Sequence, residues 1–491
     1  MKLINRRLLV FFIAIIGVLC IQNEANAKNK KSVQKHGYDI KVEFKQPVKD
    51  GQIVLAKYFG TGYPQVYKVA DAEVKNGTSA HFKSTDSILG GFYLILFNEN
   101  QQFFELILDD GDAMTVMVDT IDFPKKIAFK NSPENEAYVS YINEVSRVAK
   151  LQTALQESLE NAKTKEDSMK VTNQMKVHSN EINAYRNKHI QNYPNHFLSQ
   201  VFKALIPIDI PEGIHYLEDG TTVDSTYAYR YYKKHFWDGF NFQDERLIHS
   251  PILENKLEEY FTKVVTPFPD SIIAEADALL AKPDQNKELS KYTLHHITKF
   301  AESSKIMGMD EVFVYMVENY HMQGKAYWMD EELVEKFATR ARQIAPNVIG
   351  KQAFNMKVND AFSLKEQSLH DFDSDQTILI FWNPTCSACL KEVPKLKKLH
   401  EEELKAKGVK VFSVLFGGDL ELIQKQIIEN KVEGWNNFVI TKDIHEIQEN
   451  FDAYDTPKIY FLGKDFNIEG KRLSSENMMN FYEIYQRKHK E

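Results

Sequence analysis

Cysteine is scarce in this sequence: 491 residues contain three, Cys20, Cys386 and Cys389. This scarcity excludes the framework of structural disulfides on which small secreted domains depend. Basic residues are in the minority, with 61 lysines and arginines against 69 aspartates and glutamates, and the formal net charge is −8. The chain therefore offers no basic surface for a phosphate backbone, and we expect no nucleic acid partner.

Glycine and proline are also limited, at 21 and 15 residues, which excludes a collagen-like or low-complexity chain. The composition is 43% hydrophobic and 26% charged, as in ordinary globular proteins. Because one domain takes about 150 residues, a chain of this length should contain two to four hydrophobic cores.

The amino terminus has the order of an export signal. Lys2, Arg6 and Arg7 precede an apolar stretch, residues 8–21, which is too short to span a membrane core of about 30 Å. Ala25-Asn26-Ala27 then supplies the small residues that a signal peptidase needs. We predict that residues 1–27 are a signal peptide and that the protein is periplasmic.

A lipid anchor at Cys20 is the alternative for this segment. Leu19 precedes it, where lipid-attachment signals usually carry a small residue. Cleavage after Ala27 would remove Cys20 and leave Cys386 and Cys389 as a closely spaced pair. In an exported protein, two such thiols favour a role in disulfide exchange over a role as a structural disulfide.

The rest of the chain changes character twice. Residues 36–125 alternate apolar and polar side chains between turn dipeptides, which predicts an all-β sandwich. Residues 130–345 are rich in helix formers and should be all-α, beginning with two long helices joined near Thr164. The aromatic run 227–242 could line a groove for a peptide or glycan, but aromatic residues at helical spacing favour a core. Residues 350–491 alternate strands and helices, as α/β domains do.

The chemistry is expected at the two cysteines of this last region. Cys386 and Cys389 directly follow the apolar run 377–382 and open a predicted helix. Residues three apart share a helix face, near enough for a sulfur–sulfur bond of about 2.05 Å. A helix start can lower a thiol pKa from about 8.5 to roughly 3.5–7.5. Cys386, nearer the helix end, should attack, and Cys389 should resolve the mixed disulfide.

Other sites built on a cysteine pair fit less well. A zinc site needs four ligands, but the sequence has no second cysteine pair and no histidine within five residues of either thiol. Covalent haem attachment requires a histidine where Leu390 stands. We therefore expect no metal and no cofactor. A bare structural disulfide remains an alternative, although a three-residue loop gains little chain entropy.

Residues 350–491 resemble the exported thioredoxin-fold proteins of the TlpA/ResA-like type. The resemblance rests on the two cysteines, on Phe381-Trp382 before them, on the pattern Cys-x-x-Glu-x-Pro that ends at Pro394, and on Asp455-Thr456-Pro457 before a strand. It implies an α/β thioredoxin-like domain and a thiol-disulfide oxidoreductase that acts on disulfide-bearing exported proteins. It also implies Glu392 as a third catalytic residue and four substrate-binding residues: Trp382, Pro384, Thr456 and Pro457.

The departures from this family leave two questions open. Ile380 stands where thioredoxin has a buried aspartate, so proton transfer must fall to Glu392, to water or to nothing. Ser387-Ala388 replaces both the reductant-type and the oxidant-type residues between the cysteines. We expect the protein to act as a reductant that receives its electrons from a membrane thiol-disulfide electron donor. The residues between the cysteines leave the direction of electron flow open.

Two other functions compete. A thiol peroxidase of the AhpC/TSA-like type would need a threonine at Asn383. A scaffold at the cell envelope would need neither the intact cysteine pair nor Thr456-Pro457. Upstream, the β module and the helical module resemble uncharacterised modules of exported Bacteroidetes-type proteins, which implies an architecture but no chemistry.

Overall fold

The structure of the protein is a computed structural model that describes residues 36–49, 51–58, 66–99, 102–123, 126–282 and 286–489. The predicted signal peptide and Cys20 lie outside the described residues. Within them, the strands are β1 Tyr38–Phe44, β2 Gln52–Tyr58, β3 Val66–Glu73, β4 Ser79–Ser84, β5 Gly91–Phe97, β6 Gln102–Leu108, β7 Asp112–Val118, β8 Ile127–Lys130, β9 Lys357–Asp360, β10 Glu366–Ser368, β11 Thr377–Trp382, β12 Lys410–Leu415, β13 Asn436–Val439, β14 Lys458–Leu462 and β15 Ile468–Lys471.

The α-helices lie mainly between β8 and β9 and among the later strands. They are α1 Pro133–Glu160, α2 Lys165–Asn192, α3 Phe197–Ala204, α4 Tyr227–His235, α5 Pro251–Glu259, α6 Pro269–Leu280, α7 Lys287–Ser303, α8 Met309–Met316, α9 Glu331–Ile344, α10 Ser387–Leu399, α11 Leu420–Glu429, α12 Ile444–Phe451 and α13 Met478–Lys488. No helix among the described residues combines the length and the hydropathy that crossing a bilayer requires.

The first eight strands form two four-stranded sheets, in the orders β4-β1-β7-β8 and β3-β2-β5-β6. Alternation buries Ile40 and Val42 of β1 on the inner face, and Leu55 and Ile95 of the other sheet join the same hydrophobic core. The predicted all-β sandwich is confirmed. The sequence pattern did not predict β3, β4 or β8.

The helical region begins with the two long antiparallel helices that the composition predicts. Pro133 is the first residue of α1, where the missing N–H costs nothing. Thr164 caps α2, its hydroxyl accepting a hydrogen bond from the Asp167 amide at 3.1 Å. A narrow stripe of buried side chains runs along the pair: Tyr138, Tyr141, Val148, Ile182 and His189.

The aromatic run 227–242 divides in two. Phe236, Phe240 and Phe242 are buried and pack as core residues, as predicted. The side chains of α4 are exposed or half-buried, and Tyr229 is 44% exposed. A core role therefore holds for the second half of the run alone.

The chain divides into two compact units, and the second contains Thr266–Ala281 and Leu294–Glu491. Helices α6, α8 and α9 thus belong to the unit that holds a seven-stranded sheet of order β10-β9-β13-β12-β11-β14-β15. Strand β11 lies inside the sheet, parallel to β12 and antiparallel to β14, and all six of its residues are buried. Helices cover both faces, as a near-continuous apolar strand requires. The predicted α/β thioredoxin-like domain is confirmed.

Candidate active site

The two cysteines lie where the buried strand β11 passes into helix α10. Asn383 directly follows β11, and its side-chain oxygen accepts hydrogen bonds from the amide and the hydroxyl of Thr385, both at 2.8 Å. The Cys386 amide donates to the Asn383 carbonyl at 3.1 Å. This Asx turn reverses the chain within three residues and sets Cys386 as the N-cap of α10.

The helix start separates the environments of the two sulfurs. Cys386 is partly exposed, whereas Cys389, in the first turn of α10, is buried, and both are free thiols. Sγ of Cys386 lies 3.4 Å from the carbonyl oxygen of Thr456, and Sγ of Cys389 lies 3.5 Å from the Asn383 amide. Cys386 is therefore the thiol that a large substrate can reach.

The same environments move the two thiol pKa values in opposite directions. Burial acts to raise the pKa of Cys386, but hydrogen bonds from the Cys389 amide, the Cys389 thiol and the Thr456 side chain hold it below its usual value. Burial raises the pKa of Cys389 to about 11, although hydrogen bonds from the Asn383 amide and the Thr456 side chain oppose the increase. At neutral pH, Cys389 is the protonated partner of a more acidic Cys386.

The loop before β14 faces the cysteines. It contains Thr456 and Pro457, joined by a cis peptide bond, and both residues are half-buried. The structure thus brings Thr456, one of the predicted substrate-binding residues, next to Sγ of Cys386, and Pro457 follows it in the same loop. Their exposed part is available to a substrate.

The other two predicted substrate-binding residues, Trp382 and Pro384, are buried, and their role toward a substrate stays a prediction. Trp382 is 0% exposed, and its indole N–H donates to the hydroxyl of Ser413 in β12 at 2.9 Å. Pro384 is buried as well. Both side chains therefore lie inside the domain, next to the turn that leads to Cys386.

Glu392, the predicted third catalytic residue, lies on α10 one turn beyond Cys389 and is half-buried. Its carboxylate accepts a hydrogen bond from the backbone amide of Ser475, in the segment between β15 and α13. The contact ties α10 to that segment. A role in proton transfer stays a prediction.

Two glycines complete the site and were not predicted. Gly417 and Gly418 follow β12, and both have left-handed backbones, with φ of 89° and 92°. A Cβ on Gly417 would lie 2.3 Å from the side-chain nitrogen of Asn383, and one on Gly418 would lie 3.5 Å from Pro384. Their sequence position could have indicated this role, because two adjacent glycines shortly after a buried strand are typical of a place where another part of the backbone approaches closely.

The described residues contain no group of three or more histidine, cysteine, aspartate or glutamate side chains placed to hold a metal ion. The chemistry that this site offers is that of its two sulfurs. A partly exposed thiol of lowered pKa can attack a disulfide, and a buried thiol beside it can displace the product.

Comparison with known families divides the chain into three matched segments. Residues 349–471 match the AhpC/TSA family. Residues 38–138 and 220–347 match two families described as domains of unknown function, DUF4369 and DUF5106. No curated protein is similar enough to this chain to count as a match.

Solved structures similar to parts of this chain come from Cytophaga and Bacteroides species. A domain described as a possible thiol-disulfide isomerase from Cytophaga hutchinsonii is 32% identical; the match covers 30% of this chain and 98% of that domain, with a TM-score of 0.28. The thioredoxin domain of a thiol-disulfide oxidoreductase from Bacteroides vulgatus is 27% identical, over 28% and 97% of the two chains, with a TM-score of 0.26. A thioredoxin-like protein from Bacteroides caccae is 20% identical over 57% and 99%, with a TM-score of 0.44.

Proposed function

The carboxy-terminal domain of this chain belongs to the thioredoxin-fold thiol-disulfide oxidoreductases of the TlpA-like type, and we propose that it reduces disulfides in exported client proteins through Cys386 and Cys389. One observation carries the proposal. The thiol of Cys386, at the start of α10, is partly exposed and has a lowered pKa, while the thiol of Cys389, one turn away, is buried and has a raised pKa. This asymmetry suits an attacking sulfur and a resolving sulfur, respectively.

The proposed reaction has two exchange steps. The Cys386 thiolate attacks a client disulfide, so a bond forms between Cys386 and one client sulfur while the other client sulfur leaves as a thiolate. Cys389 then loses its proton and attacks Cys386. The second client sulfur leaves, and two electrons have passed to the client while Cys386 and Cys389 have formed a disulfide.

Proton removal from Cys389 is the demanding part of the second step, because its pKa is about 11. Glu392 is the proposed acceptor, since it lies on the same helix three residues beyond Cys389. Its carboxylate also accepts a hydrogen bond from the Ser475 amide, so it must accept the proton of Cys389 while it keeps this hydrogen bond. Water is the alternative acceptor.

The proposed location and partners rest on the sequence. Residues 1–27 have the pattern of a cleaved signal peptide, so the mature chain begins at Lys28 in the periplasm. There the disulfide of the spent enzyme needs a reductant, and a membrane thiol-disulfide electron donor is the proposed source. Disulfide-bearing exported proteins are the proposed clients.

Insulin reduction tests the proposal. The chain from Lys28, reduced beforehand, should reduce insulin disulfides. Cys386→Ser should abolish the reaction, and Cys389→Ser should accumulate a covalent complex with insulin that dithiothreitol dissolves. A wild-type chain that leaves insulin oxidised would refute the proposal. Rapid consumption of hydrogen peroxide without insulin reduction would favour a thiol peroxidase, and inertness toward both would favour a scaffold.

A further inference from the structure

An ion pair connects the helical region to the loop that faces the cysteines. Arg340, in α9, donates through Nη1 to Oδ1 of Asp452 at 2.5 Å and through Nη2 to Oδ2 at 3.0 Å. The pair is bidentate, the arrangement that fixes both distance and orientation. The Asp452 side chain is 13% exposed, so solvent screens this pair less than a surface ion pair.

Asp452 is the residue at which the loop begins. It caps the carboxyl end of α12 in a left-handed conformation, with φ of 47°, and the loop runs from there to Thr456 and Pro457. Lys458, just after the loop, lies 3.6 Å from Asp452 and 2.6 Å from Asp455. Arg340 thus holds the start of a short segment whose end is already fixed in β14.

A second set of contacts holds the same helices against the sheet. The ammonium group of Lys471 in β15 lies 2.5 Å from Asp310 in α8 and donates to the Asn347 carbonyl at 2.8 Å. The Asn347 amide group donates to the carbonyl of Asn450 in α12 at 3.2 Å. These contacts join α8 and the segment directly after α9 to β15 and α12, so the end of α9 that carries Arg340 is held near Asp452.

We propose that Arg340 is a positioning residue for the exchange reaction: by clamping Asp452, it holds Thr456 beside the sulfur of Cys386. The end of the region that matches DUF5106 then has a defined task, which is to support the active-site loop. This inference rests on the proposed function of Cys386 but concerns a different part of the chain.

The charges around Asp452 keep its ion pair with Arg340 formed at neutral pH. Burial acts to raise the pKa of Asp452, but Arg340, Lys458 and Lys471 face it and hold that pKa below its usual value. Asp452 is therefore ionised at neutral pH. At the other end of the loop, the Thr456 carbonyl accepts from the Cys386 thiol, and the Thr456 side chain acts to lower the pKa of Cys386. If the loop moves away from Cys386, the effect of this side chain should weaken and the pKa of Cys386 should rise.

The test measures how fast iodoacetamide alkylates Cys386 in the reduced chain from Lys28 between pH 5 and pH 10. Arg340→Gln should move the midpoint upward, so that the thiolate fraction at a fixed pH below it falls by about threefold or more. Arg342→Gln is the matched control. It removes the same charge from the same helix, where Arg342 pairs with exposed Glu335 at 2.7 Å, and it should leave the midpoint unchanged.

Asp452→Asn completes a double-mutant cycle with Arg340→Gln. Asparagine accepts the left-handed conformation of this position but cannot form the bidentate ion pair with Arg340. The variant with both changes should shift the midpoint no further than the larger single change. Equal midpoints for Arg340→Gln and wild type, with circular dichroism showing both folded, would overturn the inference; so would fully additive shifts. Alkylation requires no client, so these results are independent of whether the wild-type chain reduces insulin.

Discussion

The carbonyl oxygen of Thr456 lies 3.4 Å from the sulfur of Cys386, although 70 residues separate them in sequence. The attacking thiol therefore sits between two elements, the start of α10 and the loop before β14. A client disulfide must approach through the surface that these two elements leave exposed. Reactivity is thus set by contacts on both sides of the sulfur.

Selective alkylation should show the difference between the two thiols. The pKa of Cys386 lies below its usual value, and that of Cys389 is about 11. As pH rises, the Cys386 thiolate should appear first, so iodoacetamide at pH 7 should add one label to the reduced chain from Lys28, on Cys386. Peptide mapping locates the label, and Cys386→Ser should take up none under the same conditions. A label found first on Cys389 would reverse the assignment.

Replacing the carboxylate of Glu392 tests proton transfer. Glu392→Gln keeps an oxygen that can accept from the Ser475 amide but loses the group that can take a proton. We expect resolution of the mixed disulfide to slow by about tenfold or more and its pH dependence to shift. Glu392→Ala also loses the hydrogen bond from Ser475, so the difference between the alanine and glutamine variants measures the effect of that contact on the resolution rate. Wild-type resolution rates in the glutamine variant would assign Glu392 to anchoring alone.

The glycine after β12 should be required for the active-site turn. Gly417→Ala places a Cβ 2.3 Å from the Asn383 side chain and also strains a backbone with φ of 89°. Gly408→Ala is the matched control, because Gly408 has φ of 84° but no neighbour within 4 Å of the added Cβ. Each variant should lose about 1–2 kcal/mol of stability from strain. Gly417→Ala should lose more, and it should also slow alkylation of Cys386; equal effects of the two variants would contradict a role for Gly417 in the site.

The amino terminus of the exported protein provides an independent prediction. Ala25 and Ala27 suit a signal peptidase better than Leu19 suits lipid attachment, so the mature chain should begin at Lys28 without lipid. Intact mass of the protein recovered from the periplasm decides this. A chain that begins at a diacylated Cys20 would show a lipid-anchored protein instead.

Local patterns were sufficient for much of the fold and for the centre of the site. Strand β11 is a near-continuous apolar run, and the cysteines follow shortly after it, so period, spacing and turn chemistry predicted their placement. Strand β13 was missed because Asn436 and Asn437 interrupt its apolar character. The buried Asn437 side chain is satisfied by backbone carbonyls, including that of Val432 at 2.8 Å, which the sequence does not show.

Contacts between distant segments were beyond sequence reasoning. Arg340 and Asp452 are 112 residues apart, and each is an ordinary charged residue in its local sequence. The partner of Glu392 is a backbone amide, so no residue type at position 475 marks it. The hydrogen bond of the buried Trp382 indole could not be predicted either, since its partner Ser413 lies on another strand. Pairings of this kind depend on tertiary packing rather than on local periodicity.

A redox titration of the chain from Lys28 against glutathione tests the central claim most directly. Cys386 and Cys389 should interconvert between free thiols and one disulfide in a two-electron transition between about −120 and −270 mV, the range of exchange proteins, with the reductant role placing it near the lower end. Cys386→Ser should show no such transition. A disulfide that persists below about −300 mV, as structural disulfides do, or thiols that never join, would contradict the account.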